Sequence, residues 1–168
     1  MTILETDRLV LRELDADDAP FILELLNEPG WLRHIGDRGI RTEEAARDYL
    51  RKGPMKMYRE HGFGLWCVEV KPAGTPVGIC GLIKRDGLDD VDIGFAVLAR
   101  HERQGYGVES ARAVMAYARE ALGLQRIVAI TSVDNHGSIR LLEKIGLRFE
   151  KMVTMPGDEE ELRLFGTV

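Results

Sequence analysis

Apolar and polar residues alternate from Arg8 to Glu13, which predicts a strand with one buried face. After Asp15 and Asp17, either of which can cap a helix, Ala19, Ile22, Leu23, Leu25 and Leu26 follow at helical spacing to about Leu26. Residues 27–41 hold Pro29, Gly30, Trp31, Gly36 and Gly39 and show no period, so an irregular segment is expected. Thr42 with two following glutamates starts a helix to about Arg51, and Gly53-Pro54 ends it before a shorter helix over Met55–His61. Strands are predicted near Gly64–Val70, Val77–Ile83 and Val91–Val97, with turns at Pro72–Pro76 and Asp86–Asp90. A helix then carries Val108, Ala111, Met115, Ala118 and Leu122 along one stripe, with Glu109, Arg112, Arg119 and Glu120 mainly opposite. The apolar run Ile127–Ile130, within Arg126–Val133, fits a central strand. A helix over about His136–Ile145 ends at Gly146, and two strands, near Leu147–Met155 and Glu161–Gly166, flank a turn at Pro156–Asp158.

Strands connected both by hairpins and by helical crossovers imply a mixed sheet in an α/β (α+β) fold. The 168 residues suit one domain over 1–168, with 45% hydrophobic residues to build its core. A net charge of −5 disfavours nucleic acid as the main partner. No apolar run reaches membrane-spanning length and the first residues carry no signal peptide, so a cytoplasmic protein with no membrane partner is expected. Cys67 and Cys80 sit in apolar strands and form no metal pattern, which predicts buried free thiols and no metal site.

The candidate chemistry lies between the Val91–Val97 strand and the helix after it. Arg100-His-Glu-Arg-Gln-Gly-Tyr-Gly107 is basic and glycine-bearing and opens directly into that helix. A helix N-terminus offers free N–H groups and about half a positive charge. Gly105 and Gly107 let the chain turn tightly and a ligand approach closely, while Arg100, His101 and Arg103 add charge. Strand, basic Gly-x-Gly turn and helix together make an anion site, usually for phosphate; the bland alternative is a solvated turn. A dinucleotide fingerprint is disfavoured: Ser110 stands at its third small position, but no strand-helix-strand unit with a ribose-binding acid follows. The Gly-Lys-Ser/Thr of a Walker A loop is absent.

Gln104-Gly-Tyr-Gly-Val-Glu-Ser-Ala111 resembles the acetyl-CoA-binding motif of the GCN5-related N-acetyltransferases, the GNAT superfamily. Glu5-Thr-Asp-Arg-Leu-Val-Leu-Arg12, Asn135-His-Gly-Ser138 and Leu142-Glu-Lys-Ile-Gly-Leu147 are similar to stretches of the branch that holds the ribosomal-protein N-terminal acetyltransferases. The matches span residues 5 to 150. One departure is Glu102, where the superfamily pattern has Gln or Arg.

The resemblance implies a central mixed, mostly antiparallel sheet of six to seven strands with about four to five flanking helices. It implies acetyl-CoA as co-substrate, with backbone N–H groups of Gln104, Gly105, Tyr106, Gly107 and Val108, beside Arg103, holding the pyrophosphate. Phe95, Ala96 and Val97 would pair with pantetheine, and Asn135 would bond the cofactor arm or fix its loop. Ser138 would lie near the sulfur; the tyrosine that many relatives use as the acid, seven residues after the asparagine, is here Leu142, so Ser138 or water would protonate the departing thiolate. Against these stand plainer roles: Asn135 as a helix cap, Ser138 as a first-turn residue. Asp92 is a candidate base, with His101 and Glu102 following it; it could equally be a solvated strand residue, and a proton relay through water would need none of the three. Trp31, His34, Phe63 and Trp66 are candidates for the acceptor pocket, or for the core. Acidic loops at Asp86–Asp92 and Asp158–Glu161 hint at a cationic amine acceptor, a protein N-terminus or small metabolite, unless they are ordinary solvated turns. The competing readings are a CoA-binding sensor or interaction module without catalysis, and a nucleotide-binding protein. A monomer or homodimer is expected.

Overall fold

The computed structural model describes residues 1–168. Eight strands form one sheet in the order β1-β2-β3-β4-β5-β6-β8-β7. They are β1 Thr2–Glu5, β2 Leu9–Glu13, β3 Leu65–Val70, β4 Thr75–Ile83, β5 Asp92–Val97, β6 Val128–Ser132, β7 Leu147–Thr154 and β8 Glu161–Thr167. Every neighbouring pair is antiparallel except β5 and β6. The helices are α1 Ala19–Leu26, α2 Pro29–His34, α3 Glu43–Lys52, α4 Pro54–His61, α5 Tyr106–Glu120 and α6 His136–Lys144.

The sheet exceeds the expected six to seven strands because the chain begins with one more. β1 is a four-residue edge strand on β2, too short to show a period. The helix count is also higher. α2 occupies part of the segment expected to be irregular: Pro29 sits at its first position, where a missing N–H costs nothing, and Trp31 faces inward. α1 starts after a 3-10 turn at Ala16–Asp18, which Asp15 caps by accepting from the Asp17 N–H.

Both sheet faces are covered. On one face Trp66, Val68, Cys80, Leu82 and Ile93 pack with Ala111, Val114, Met115 and Ala118 of α5 and Leu142 of α6. On the other, Cys67, Ile79 and Leu98 pack with Ile22 and Leu25 of α1 and Ala46 and Leu50 of α3. Neighbours such as Trp66 and Cys67 therefore enter different cores, as strand geometry requires, and β3 and β4 read as continuous apolar runs because both faces are buried. Phe63 and Trp66 belong to the first core, with Trp66 edge-on to Tyr117 at 5.5 Å, so neither is a pocket residue. Of the expected α5 stripe, Ala111, Met115 and Ala118 are buried; Val108 and Leu122, at its ends, are half-exposed. No helix is long and apolar enough to cross a membrane.

Cys67 and Cys80 are free and buried, and burial pushes both thiols up to about 12. The thiolate is the reactive form. A disulfide reagent added to the native protein should therefore titrate neither cysteine, and both only after denaturation.

Candidate active site

The parallel pair β5 and β6 meets at one register position, Asp92 opposite Val128, backed by the Val128 N–H donating to the Val91 carbonyl. Beyond it the strands part. β4 satisfies one edge of β5 through Val97 and β8 satisfies one edge of β6 through Ser132, but their facing edges have no strand between them. The parting opens a cleft of about 1070 Å³ lined by Asp92–Val97 on one wall and Ile130–Ser132 on the other.

The turn 102–107 closes part of this cleft. Arg103 and Gly105 both take left-handed φ, 61° and 84°, and the helix begins at Tyr106. The Glu109 N–H donates to the Gly105 carbonyl as the first bond of α5, so the N–H groups of Tyr106, Gly107 and Val108 precede the ladder without backbone acceptors. The two glycines differ in purpose. Gly105 supplies the left-handed turn. Gly107 supplies closeness, since a Cβ there would meet Leu141 Cδ1 of α6 at 3.0 Å. Of the expected basic residues, His101 and Arg103 line the cleft, whereas Arg100 is tied to Glu24 of α1 and does not. Arg140 and Lys144 of α6 also line it, cations that nothing near the motif in sequence marks.

Asn135 and Ser138 line the cleft from the start of α6. The Asn135 Oδ1 accepts the Ser138 N–H at 3.2 Å, so Asn135 is a helix cap. That bond fixes the Ser138 backbone and leaves its hydroxyl without a protein partner. Leu142 is 1% exposed in the core, so no acid is available from that position.

Asp92 is 1% exposed, and both its oxygens accept from Arg85 Nε at 3.1 and 3.0 Å. Burial pushes its carboxyl above the usual range, against the pull of Arg85. It is thus a buried, paired carboxylate and not a solvated strand residue. Trp31 and His34, both from α2, line the cleft. His34 Nδ1 lies 3.0 Å from Ser132 Oγ and 3.6 Å from Asp134 Oδ1, and Asp134 also pairs with Arg33 at 3.2 Å. The Trp31 indole N–H is buried without a partner. Asp158 and Glu160 of the β7–β8 turn reach the cleft. The two acidic loops adjoin, since a Cβ on Gly87 would strike the Pro156 ring at 2.5 Å, but Asp90 is occupied by Arg126 at 3.0 Å.

Residues 8–148 match the family model described as an acetyltransferase (GNAT) domain. The chain belongs to the GNAT acetyltransferases. An uncharacterised N-acetyltransferase of Bacillus subtilis, YoaA, is 31% identical over 149 residues, 88% of this chain and 84% of that one. The B. subtilis protein YkkB, also uncharacterised, is 29% identical over 90% of this chain and 88% of its own. Among solved structures, a GNAT acetyltransferase from Bacillus anthracis superposes with a TM-score of 0.81 at 24% identity, over 100% of this chain and 98% of its own. RimL, a ribosomal L7/L12 alpha-N-protein acetyltransferase solved with coenzyme A, superposes with a TM-score of 0.81 at 16% identity, over 100% of this chain and 98% of its own, a likeness of fold. The GNAT enzyme's mixed, mostly antiparallel sheet is the one expected, with a strand more.

Proposed function

We propose that this GNAT domain, extending over residues 1–168, transfers the acetyl group of acetyl-CoA to a primary amine by direct attack in a ternary complex. One observation carries the reading: the free edge of β5 runs alongside the unpaired N–H groups of the α5 turn in a single cleft. An extended polar chain ending in a pyrophosphate suits that pairing, since the strand edge offers a ladder of backbone bonds and the helix start an anion site. Backbone N–H groups from Gln104 to Val108, beside Arg103, hold the pyrophosphate; Phe95, Ala96 and Val97 pair with pantetheine. Acetyl-CoA supplies an activated thioester. The amine nitrogen bonds to its carbonyl carbon, the C–S bond breaks, and Ser138 passes a proton to the sulfur while taking one back from water, which is replenished by the proton that the amine sheds. Asn135 holds the turn that carries Ser138.

The amine must shed a proton. Asp92 stands where the strands part, but Arg85 already occupies both its oxygens. His34 is arranged better: Nδ1 is held against Ser132, and its other ring nitrogen has no protein partner. His34→Gln is expected to lower kcat/KM for the acceptor by about 10²-fold, with acetyl-CoA affinity unchanged. If Asp92→Asn does this and His34→Gln does not, the proton goes to Asp92.

The acceptor we infer is a cationic amine, a peptide N-terminus or small metabolite, drawn by Asp158 and Glu160 at the cleft. Superposition on RimL is compatible with the peptide arm. A turnover screen tests both claims: acetyl-CoA with free-thiol readout, against N-terminal peptides, polyamines and amino-acid amides at low and high salt. Turnover falling with salt supports a cationic acceptor; thiol release with none of them, beside tight acetyl-CoA binding, would favour a binding module.

A further inference from the structure

The β1–β2 turn, about a hundred residues before the cofactor motif, is bonded into it. Arg8 Nε pairs with Glu109 Oε1 at 2.7 Å, and the Arg8 N–H donates to Glu109 Oε2 at 3.2 Å. Thr6 Oγ1 donates to the same oxygen at 2.5 Å. Arg8 Nη1 donates to the Gln104 carbonyl at 2.9 Å, and the guanidinium lies 4.7 Å above the Tyr106 ring. A Cβ on Gly105 would come within 3.2 Å of Arg8 Nη2. One side chain thus touches the backbone before the glycine, the ring after it and the carboxylate one turn on.

Two physical consequences follow. Glu109 stands in the first turn of a helix whose N-terminus is to hold an anion. Its charge suits the helix dipole but repels a phosphate at the same end. Burial would push its carboxyl up, yet the bonds from Thr6 and Arg8 hold it below the usual range, so it is ionised at neutral pH. Arg8 supplies the compensating charge. Second, a trans peptide points its C=O and the following N–H in opposite directions. Turning the Gln104 carbonyl onto Arg8 therefore turns the Gly105 N–H away from Arg8 and leaves it free of that contact.

We propose that Arg8 is a positioning residue for the pyrophosphate turn, cancelling Glu109 and setting the 104–105 peptide so that the turn accepts an anion. The inference rests on acetyl-CoA binding at that turn. Its test is calorimetric titration with coenzyme A of wild type, Arg8→Met, Glu109→Gln and the double variant. Arg8→Met should weaken binding about tenfold, the scale of one charge at a helix terminus. Glu109→Gln should bind at least as tightly as wild type, and the double variant should regain most of the loss. A salt bridge serving only stability predicts otherwise: both single variants would lower the ligand-free melting temperature alike, and the double variant would regain no affinity. Wild-type affinity in Arg8→Met, or no recovery in the double variant, overturns the proposal. Gly105→Asp measured alongside separates it from the site itself. If Gly105→Asp loses coenzyme A while Arg8→Met keeps it, the turn is the site and Arg8 does not position it. If Gly105→Asp also binds normally, both fall.

Discussion

Gly105→Asp is expected to weaken acetyl-CoA binding at least 100-fold while leaving the protein folded. Gly105 holds φ 84° immediately before α5, a conformation that costs a side chain about 1 kcal/mol or more. Its new Cβ would also press on Arg8 Nη2 at 3.2 Å. The larger effect is electrostatic. A carboxylate carried on the turn sits where a phosphate is to sit, accepts from the same N–H groups, and pairs with the arginine that now offsets Glu109. Strain of about 1 kcal/mol with charge competition of up to about 2 kcal/mol amounts to roughly two decades in Kd. Gly105→Ala separates the terms, since it adds strain without charge and should lose about tenfold or less. Gly105 itself lies outside both cores, so the circular dichroism spectrum should not change. Calorimetry showing wild-type affinity in Gly105→Asp would move the cofactor to another part of the cleft.

Ser138→Ala is expected to lower kcat about 10²-fold with the KM for acetyl-CoA within about twofold. In the proposed step the hydroxyl is wanted only as negative charge collects on sulfur, so its loss would fall on the transition state and not on ground-state binding. The substitution spares the cap, because Asn135 accepts from the Ser138 backbone N–H, which alanine retains. Leu142 cannot replace it, since its side chain carries no proton to give and is sealed in the core. The comparison requires that chemistry limit turnover, which independence of kcat from solvent viscosity establishes. Under that condition an unchanged kcat in Ser138→Ala means the proton arrives from water and Ser138 is a helix residue.

Different parts of the molecule were legible to different degrees. α5 and its basic turn are plain because strand, glycines and helical stripe are contiguous, and local geometry follows from local sequence. Asn135 reads as a cap for the same reason, and Cys67 and Cys80 read as buried because their strands are apolar throughout. β1 and α2 escape because four and six residues are too few to display a period. Trp31 and Trp66 look alike in the chain, yet Trp31 packs in the second core and also lines the cleft, whereas Trp66 lies in the first core away from it. The choice depends on which element lies opposite, which no local pattern encodes.

By itself the sequence determined the order of the longer elements, the motif that marks the GNAT acetyltransferases, and the acidic net charge. These follow from periodicity, turn chemistry and charge, all properties of neighbours along the chain. The tertiary structure alone decided that β5 and β6 part after a single register position, because that depends on how two parallel strands are joined through α5 and flanked by β4 and β8. It alone brought His34 to Ser132, Asp92 to Arg85 and Arg8 to Glu109. Side-chain bonds reach only a few ångströms, so two residues a hundred positions apart become partners only when the sheet has set their distance.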